Sequence, residues 1–237
     1  MDRPLITTAS LELGVLLAAA GGFQDAYSFI ALGGVFANAQ TGNVVLLGVE
    51  AAREHWADAA RHLPSLLAFV LGVVVAETLG RPRVAAALRR PARMALLLEI
   101  VVLVIVGFLP RGVPDSLIVV MIAFTASVQV TTFRTLIIWP YNTAMVTGNL
   151  RTAAQAAYAA VADRDPDAVR KTRSFSIIIA SFTIGAFAGG WLTLHVGRHA
   201  IWISAGVLVA ALCLFVIDEH RDRIRRGLKR RRPGRTD

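Results

Sequence analysis

Six apolar stretches, each close to the length of a membrane-crossing helix, limit what this chain can fold into. About 20 residues of helix are needed to cross the hydrocarbon region of a bilayer. A mean hydropathy of +0.58 and a charged fraction of only 17% are typical of membrane proteins rather than soluble domains. We therefore predict an all-α polytopic membrane protein whose spans cover residues 11–32, 63–79, 94–109, 116–138, 175–195 and 200–217.

The basic residues lie in the connections between these stretches and in one terminal segment. A net charge of +9 would fit nucleic-acid binding, but this clustering is what the positive-inside bias produces, so no nucleic-acid partner is expected. Both termini are predicted to be cytoplasmic. A cleaved signal peptide is not expected, because the apolar run continues past Ala18-Ala19-Ala20. The predicted cytoplasmic segments are 81–93, 162–173 and the basic tail 219–237, and the predicted outer segments are 50–62, 110–115 and 196–199.

The triplet Thr-Gly-Asn occurs twice in the chain, at residues 41–43 and at residues 147–149. Each copy interrupts an apolar region and is followed by a short apolar piece, at 43–52 and 149–162. At 1.5 Å per residue these pieces would form helices of roughly 15–20 Å, about half the hydrocarbon thickness. We therefore predict a short discontinuous or re-entrant half-helix after each triplet.

The two triplets indicate an internal repeat within a single transmembrane domain at 1–218. If neither half-helix spans, six spans place every basic segment on the same side of the membrane. Each repeat then holds three spans, at about 11–110 and 115–217, so the second repeat is inverted and the triplets meet near the midplane. A second pair of motifs, Phe69-x-x-Gly72-x-x-x-Ala76 and Phe182-x-x-Gly185-x-x-x-Gly189, predicts close helix packing.

The first half also carries a fairly specific combination of motifs. Gly21-Gly22-Phe23-Gln24-Asp25-Ala26 is followed by Leu32-Gly33-Gly34-Val35-Phe36 and then by the first triplet. This combination resembles the YoaK family, a bacterial membrane family of unknown function (domain of unknown function 1275). The resemblance covers roughly residues 13–216. Similar proteins tend to have a Gly-x-Gln-Asn stretch in the second half, and this chain keeps only its glutamine, Gln129. It implies a bacterial inner-membrane protein and no established activity.

Asp25 is the most informative single residue, because it falls midway along the first predicted span. A carboxylate in the hydrocarbon region costs several kcal/mol unless it is paired, hydrated or protonated. Asp25 is therefore a candidate ion ligand, proton carrier or substrate contact. A structural hydrogen bond or ion pair between helices is the alternative. Glu99 and Glu77 lie nearer the ends of their predicted spans, and an interfacial position is the favoured interpretation for both.

Other polar side chains near the same level complete the candidate site. Arg134 and Arg151 are candidate partners for Asp25 or for an anion, with snorkelling to the interface as the alternative for Arg134. The unpaired N–H groups at each half-helix start favour negative charge, and N-capping is the alternative role of the triplets. The candidate substrate-binding or ion-binding residues are Gln24, Asp25, Asn38, Thr41, Gly42, Asn43, Gln129, Arg134, Thr147, Gly148, Asn149 and Arg151.

Enzyme signatures are absent from the sequence. It contains no Gly-x-Ser-x-Gly, His-Glu-x-x-His, P-loop or paired-cysteine motif, and its one cysteine, Cys213, excludes an intramolecular disulfide. The five histidines fall at predicted loops or helix ends. We therefore expect no catalytic residues, no cofactor and no metal site.

These features predict a small transporter or channel for a small polar solute or ion, with its site at the two triplets and Asp25. The alternative is a non-transporting membrane scaffold or sensor, in which the polar residues only hold helices together. The expected partners are the lipid bilayer, the solute or ion, and anionic lipid headgroups at the basic tail. A homodimer is compatible with a thin bundle of six short spans.

Overall fold

The computed structural model describes residues 10–84 and 90–230, with side chains up to residue 217. The predicted cytoplasmic residue Arg89 and the last seven residues of the predicted basic tail lie outside the described residues. Most of the described chain is helical, and its strands form one short antiparallel hairpin, so the prediction of a helical membrane protein is confirmed.

The elements follow one another along the chain with short connections. The hairpin pairs β1 (Thr135–Leu136) with β2 (Trp139–Pro140), and a 3₁₀ turn (Gly197–Ala200) separates the last two helices. The helices are α1 (Leu11–Ala31), α2 (Gln40–Ala52), α3 (Trp56–Ala60), α4 (Leu63–Leu79), α5 (Pro91–Phe108), α6 (Asp115–Thr132), α7 (Val146–Ala162), α8 (Pro166–Val196) and α9 (Ile201–Arg230).

Five segments of the described chain are long and apolar enough to cross a membrane. Four of them correspond to α1, α3 with α4, α5 and α6, and the fifth runs over 52 residues from Pro166 to Ile217. A single helix of that length would measure about 78 Å, far more than the hydrocarbon thickness. The segment instead breaks at Gly197, whose φ of 73° suits glycine, and so contains both α8 and α9. The shorter helices α2 and α7 are not among the five.

Several helices begin or end at residues other than the predicted span boundaries. The span predicted at 116–138 ends at Thr132, because the hairpin follows and Pro140 disfavours helical geometry at Trp139. The span predicted to begin at residue 175 lies within a helix that begins at Pro166, where the Asp165 side chain accepts a hydrogen bond from the Asp167 N–H at 2.9 Å. Hydropathy marks the part of a helix that faces lipid, whereas capping residues mark where it starts.

The helices pack in a pattern set largely by small residues. α1 lies mainly against α8 and also against α9, α4 lies against α6, and α5 lies between α6 and α9. A Cβ at Gly185 of α8 would stand 2.0 Å from the Ala19 carbonyl oxygen, and one at Gly72 of α4 would stand 2.5 Å from the Phe124 carbonyl oxygen. The close packing predicted for these two glycines is therefore present at both.

The connections collect at two ends of the bundle. At one end Arg198 is hydrogen-bonded to Asp115, and Arg61 lines the same cleft as Asp115. At the other end the links after α4, α6 and α7 lie close together, as the contacts between Glu77 and Arg134 and between Trp139 and Arg170 show. Among the described residues, the predicted outer segments therefore share one end of the bundle, and the predicted cytoplasmic segments at 81–93 and 162–173 lie at the other end.

Candidate functional site

Asp25 anchors the segment that follows α1. Gly33 and Gly34, with φ of 76° and 79°, turn the chain back toward α1. One carboxylate oxygen of Asp25, Oδ1, then accepts hydrogen bonds from the backbone N–H groups of Asn38 at 2.7 Å and Ala39 at 3.2 Å. The other oxygen, Oδ2, is buried and has no partner among the described residues. Asp25 thus holds the segment between α1 and α2 in place and keeps one acceptor unused.

The asparagines of the two triplets make the same pair of hydrogen bonds. Asn43 Oδ1 accepts from the Phe36 N–H at 2.9 Å, and Asn43 Nδ2 donates to the Phe36 carbonyl at 2.8 Å. Asn149 binds the N–H and carbonyl of Asn142, seven residues earlier, at 3.4 and 2.6 Å. Asn43 Nδ2 also donates to Ser65 Oγ at 3.3 Å, which ties the segment to α4. Each asparagine therefore closes a loop of the backbone.

The alternative that the triplets cap their helices is wrong. α2 begins at Gln40 and α7 at Val146, each before the asparagine of its triplet, and neither helix has a side-chain cap. Asn43 and Asn149 instead lie in the first turn of a helix, and their side chains reach back to the preceding segment.

The segments that precede α2 and α7 approach the same point on α1. Asn38 Nδ2 donates to the Gly21 carbonyl at 3.4 Å, and the Thr143 carbonyl lies 3.8 Å from where a Cβ of Gly21 would stand. Thr143 Oγ1 in turn donates to Gln129 Oε1 at 3.4 Å, while Gln129 Nε2 is buried without a partner in the described residues. Gly21 and Asp25 are one turn apart on one face of α1. Asn38, Gln129 and Asp25 are thus brought into one region.

The remaining predicted site residues lie elsewhere or at its edge. Thr41, Thr147, Gly148 and Arg151 are exposed, and Gly42 is half-buried against Phe36. Arg134 is exposed and forms a 2.8 Å ion pair with Glu77 at one end of the bundle. Arg134 therefore makes its ion pair with Glu77 and not with Asp25.

Gln24 lies in a second buried polar cluster that the sequence did not indicate. Its Nε2 donates to Glu99 Oε1 at 2.8 Å and lies 3.3 Å from Ser204 Oγ. The sequence favours an interfacial position for Glu99 because the predicted span begins at residue 94, whereas α5 begins at Pro91 and Glu99 is its ninth residue. Proline at the first helical position is the sequence signal that indicates the earlier start.

Three clefts on the described surface lie at helix ends, and none of these three is lined by Asp25. The largest, about 440 Å³, is lined by Glu77, Arg81, Thr131 and Arg134 among others. The other two measure about 330 Å³ beside Trp139 and about 230 Å³ beside Asp115.

Ligand atoms of Glu50, His55 and Asp58 lie within 4.8 Å of one another near the start of α3. Arg53 and Arg61 already form ion pairs with the two carboxylates of this group. The hydrogen bond from His55 holds the pKa of Glu50 below its usual value, with a smaller contribution from Arg53. These contacts account for the group as a surface network of charges.

Alanine at Asn43 or Asn149 is expected to destabilise the protein, with the larger loss at Asn43, which also donates to Ser65. Each substitution removes both bonds to the preceding segment, and a buried backbone group left unpaired costs about 1–3 kcal/mol. Thermal unfolding of the purified protein in lipid would measure the loss. Thr41→Ala and Thr147→Ala are the matched controls, because both side chains are exposed, and they should stay within about 0.5 kcal/mol of the wild type. Equal melting temperatures of Asn43→Ala and Thr41→Ala would contradict a stabilising role for the hydrogen bonds between Asn43 and Phe36.

A bundle of membrane-length helices with polar residues buried inside it defines a multi-pass membrane protein. A family model matches residues 13–214, and the chain belongs to that family, described as Protein of unknown function (DUF1275). The chain is also similar to the UPF0700 transmembrane protein YoaK of Bacillus subtilis (strain 168), with 26% identity over 138 residues. That match covers 57% of this chain and 61% of YoaK, so it spans about three fifths of the relative. No solved structure matches the chain.

Proposed function

We propose that this protein is a transporter or channel that moves a small polar solute or ion across the bacterial inner membrane. The observation that carries the proposal is the approach of two re-entrant segments to one face of α1. Asn38 and Thr143 both lie against Gly21, and Asp25 lies one turn further along the same face. Discontinuous segments that meet inside a membrane protein are a recurrent way to build a transport site.

The packing supports two inverted repeats of three spans each, at about 11–110 and 115–217. If α1 corresponds to α6 and α4 to α8, the contact of α1 with α8 has its counterpart in the contact of α6 with α4. The contact of α1 with α9 likewise has its counterpart in that of α6 with α5. The identical hydrogen bonds of Asn43 and Asn149 fit the same correspondence. In this arrangement the half-helices α2 and α7 enter from opposite sides.

The basic end of the bundle is the cytoplasmic one in this proposal. Arg81, Arg90, Arg134 and Arg170 lie on connections or helix ends that collect there, as the positive-inside bias requires. Both termini are then cytoplasmic. The basic tail at 219–237 would contact anionic lipid headgroups.

The chemistry of the proposed site follows from its two unused polar atoms. Asp25 Oδ2 offers an acceptor with negative charge, and Gln129 Nε2 offers a donor. A cation, or a polar solute with both a donor and an acceptor, could use these atoms without breaking the bonds that hold the re-entrant segments. Movement of one repeat against the other would open the site to each side in turn.

Cysteine labelling tests the transport pathway without knowledge of the substrate. Asn38→Cys and Thr143→Cys would be placed singly in a Cys213→Ser background, since Cys213 is exposed and would otherwise react. We expect a small aqueous thiol reagent to label residue 38 from the outer side and residue 143 from the cytoplasmic side. Leu103→Cys, buried in α5 away from the site, is the control and should not react. Failure of both site positions to react from either side would overturn the proposal.

A membrane scaffold or sensor without transport is the second candidate function. The tight closure of the site favours it, because Asn43 is fully buried and Asp25 is only 4% exposed. In that case the polar residues serve helix packing alone. Unreactive cysteines at both site positions, together with an unchanged melting temperature in a screen of small solutes, would favour this candidate.

A further inference from the structure

Glu99 is a second carboxyl group buried inside the membrane-spanning helices, and the transport site proposed above does not use it. It is 1% exposed and lies in the middle of α5, about 13 Å from either end of that helix. Its Oε1 accepts a 2.8 Å hydrogen bond from Gln24 of α1, whose Nε2 also lies 3.3 Å from Ser204 Oγ of α9. Three helices that pack together thus contribute one polar side chain each.

No cation is bonded to Glu99 among the described residues. On α5 itself, Arg93 is more than one turn closer to the start, with its guanidinium 5.9 Å from the centre of the Phe215 ring. The described side chains of α6 and α9 include no charged group within residues 116–132 and 201–217, and Cys213 is the one titratable group there. At the far end of α5 the His199 ring is hydrogen-bonded to the Gly107 carbonyl.

The titratable residues of α1 complete the surroundings of Glu99. Asp25, next to Gln24, directs its Oδ1 to the re-entrant segment, and Glu12 lies in the first turn. Tyr27 has a buried hydroxyl without a partner in the described residues. These groups supply no positive charge, so an ionised Glu99 would be a buried anion held only by an amide donor.

The cluster has the donors and acceptors that a transferable proton requires. An unpaired anion in the hydrocarbon region costs several kcal/mol, whereas a protonated carboxyl group is neutral. Glu99 Oε2 and Gln24 Oε1 are both buried without partners in the described residues, so the cluster holds two acceptors to which no described group donates. A proton on Glu99 supplies a donor, and the Gln24 amide stabilises the carboxylate that remains after release.

We propose that Glu99, Gln24 and Ser204 form a proton-binding site in the interior of the bundle, with Glu99 as the group that takes up and releases the proton. A metal cation fits this cluster less well, since a cation needs several oxygens around it. Here the Gln24 Nε2 donor occupies the position between Glu99 Oε1 and Ser204 Oγ. A proton needs no such coordination shell.

A proton at this site would serve as the coupling ion of transport. Gln24 and Asp25 are adjacent on α1, so a shift of α1 that accompanies proton release would move both the cluster and the Asp25 site. This coupling role rests on the proposed transport function. The proton site itself does not depend on it.

Infrared spectroscopy of the full chain in phosphatidylcholine bilayers tests the proton site directly. The carbonyl stretching band of protonated carboxyl groups would be followed from acid to alkaline pH in sodium-free buffer. We expect Glu99→Gln to remove one pH-dependent component of this band, while Glu77→Gln, at an exposed carboxylate, and Asp25→Asn leave that component in place. Gln24→Met keeps the carboxyl group but removes its donor, so it is expected to shift the frequency of the same component.

Three results would overturn the proton site. One is a band that is unchanged in both Glu99→Gln and Gln24→Met, and another is a component that does not vary with pH. The third is loss of the component when sodium chloride, but not choline chloride, is added at constant pH, which would assign the cluster to a metal cation. If the component behaves as expected but cysteines at residues 38 and 143 do not react, the proton site stands and the transport function fails.

Discussion

Asp25→Ala is expected to detach the segment between α1 and α2 from α1 and to lower the free energy of unfolding by about 3 kcal/mol. The reason is that Asp25 Oδ1 is the acceptor for two backbone N–H groups, those of Asn38 and Ala39. Alanine removes that acceptor and leaves both groups without their partner. Asp25→Asn should lose much less stability. The asparagine oxygen can take the position of Oδ1 and accept the same two hydrogen bonds, and its amide nitrogen replaces Oδ2, which has no hydrogen bond to lose.

The two substitutions separate the structural role of Asp25 from its proposed role in transport. Thermal unfolding in lipid would measure stability, and proteoliposome uptake would measure transport of any solute that the wild type accumulates. We expect uptake to be lost in both variants, since both remove the charge. Glu12→Ala is the matched control, because it removes an exposed carboxylate from the same helix and should change neither property.

Other results would point to different roles for Asp25. Normal uptake by Asp25→Asn would show that the charge is not needed for transport. Equal destabilisation by asparagine and alanine would show that the charge, rather than the acceptor geometry, holds the segment between α1 and α2.

Asp25 and the triplet asparagines could be identified from the sequence, because a charged or polar residue in an apolar run is conspicuous. The sequence does not show that the asparagines of the triplets are buried while the threonines are exposed. In a helix, residues two apart point in directions about 200° apart. Since α2 starts before the triplet, Asn43 faces the interior while Thr41 faces outward. A line of sequence without a known helix start does not reveal which of the two is buried.

The cluster around Glu99 shows a different limit of the sequence. Glu99 is 75 positions from Gln24, and Gln24 is 180 positions from Ser204, so no local spacing links them. The pair of Arg134 and Glu77 is similar, since each was recognised separately near a helix end and only the packing of α4 against α6 brings them together. Polar contacts between distant residues depend on which helices pack together. The charge pattern predicts only on which side of the membrane each connection lies.

Gly185→Val is expected to disrupt the contact of α8 with α1 and to cost about 3 kcal/mol or more in the free energy of unfolding. A Cβ at this position would stand 2.0 Å from the carbonyl oxygen of Ala19, which belongs to a helix backbone and cannot rotate away. Relief requires α8 to move away from α1. The same displacement would disturb the contacts that Gly22 and Gly189 make across this interface, where added Cβ atoms would stand 2.1 and 2.5 Å from carbonyl oxygens.

The control for this effect is Gly206→Val in α9, a helical glycine at which an added Cβ meets nothing within 4 Å. Valine is a better helix former than glycine, so the control should be neutral or slightly stabilising. Thermal unfolding of both variants in lipid would give the comparison. If Gly185→Val and Gly206→Val had the same melting temperature, the close approach of α1 and α8 would be wrong. If Gly185→Val melted early, the approach would be supported, and cysteine labelling at residue 38 would then report whether the segment next to Asp25 moves with α1.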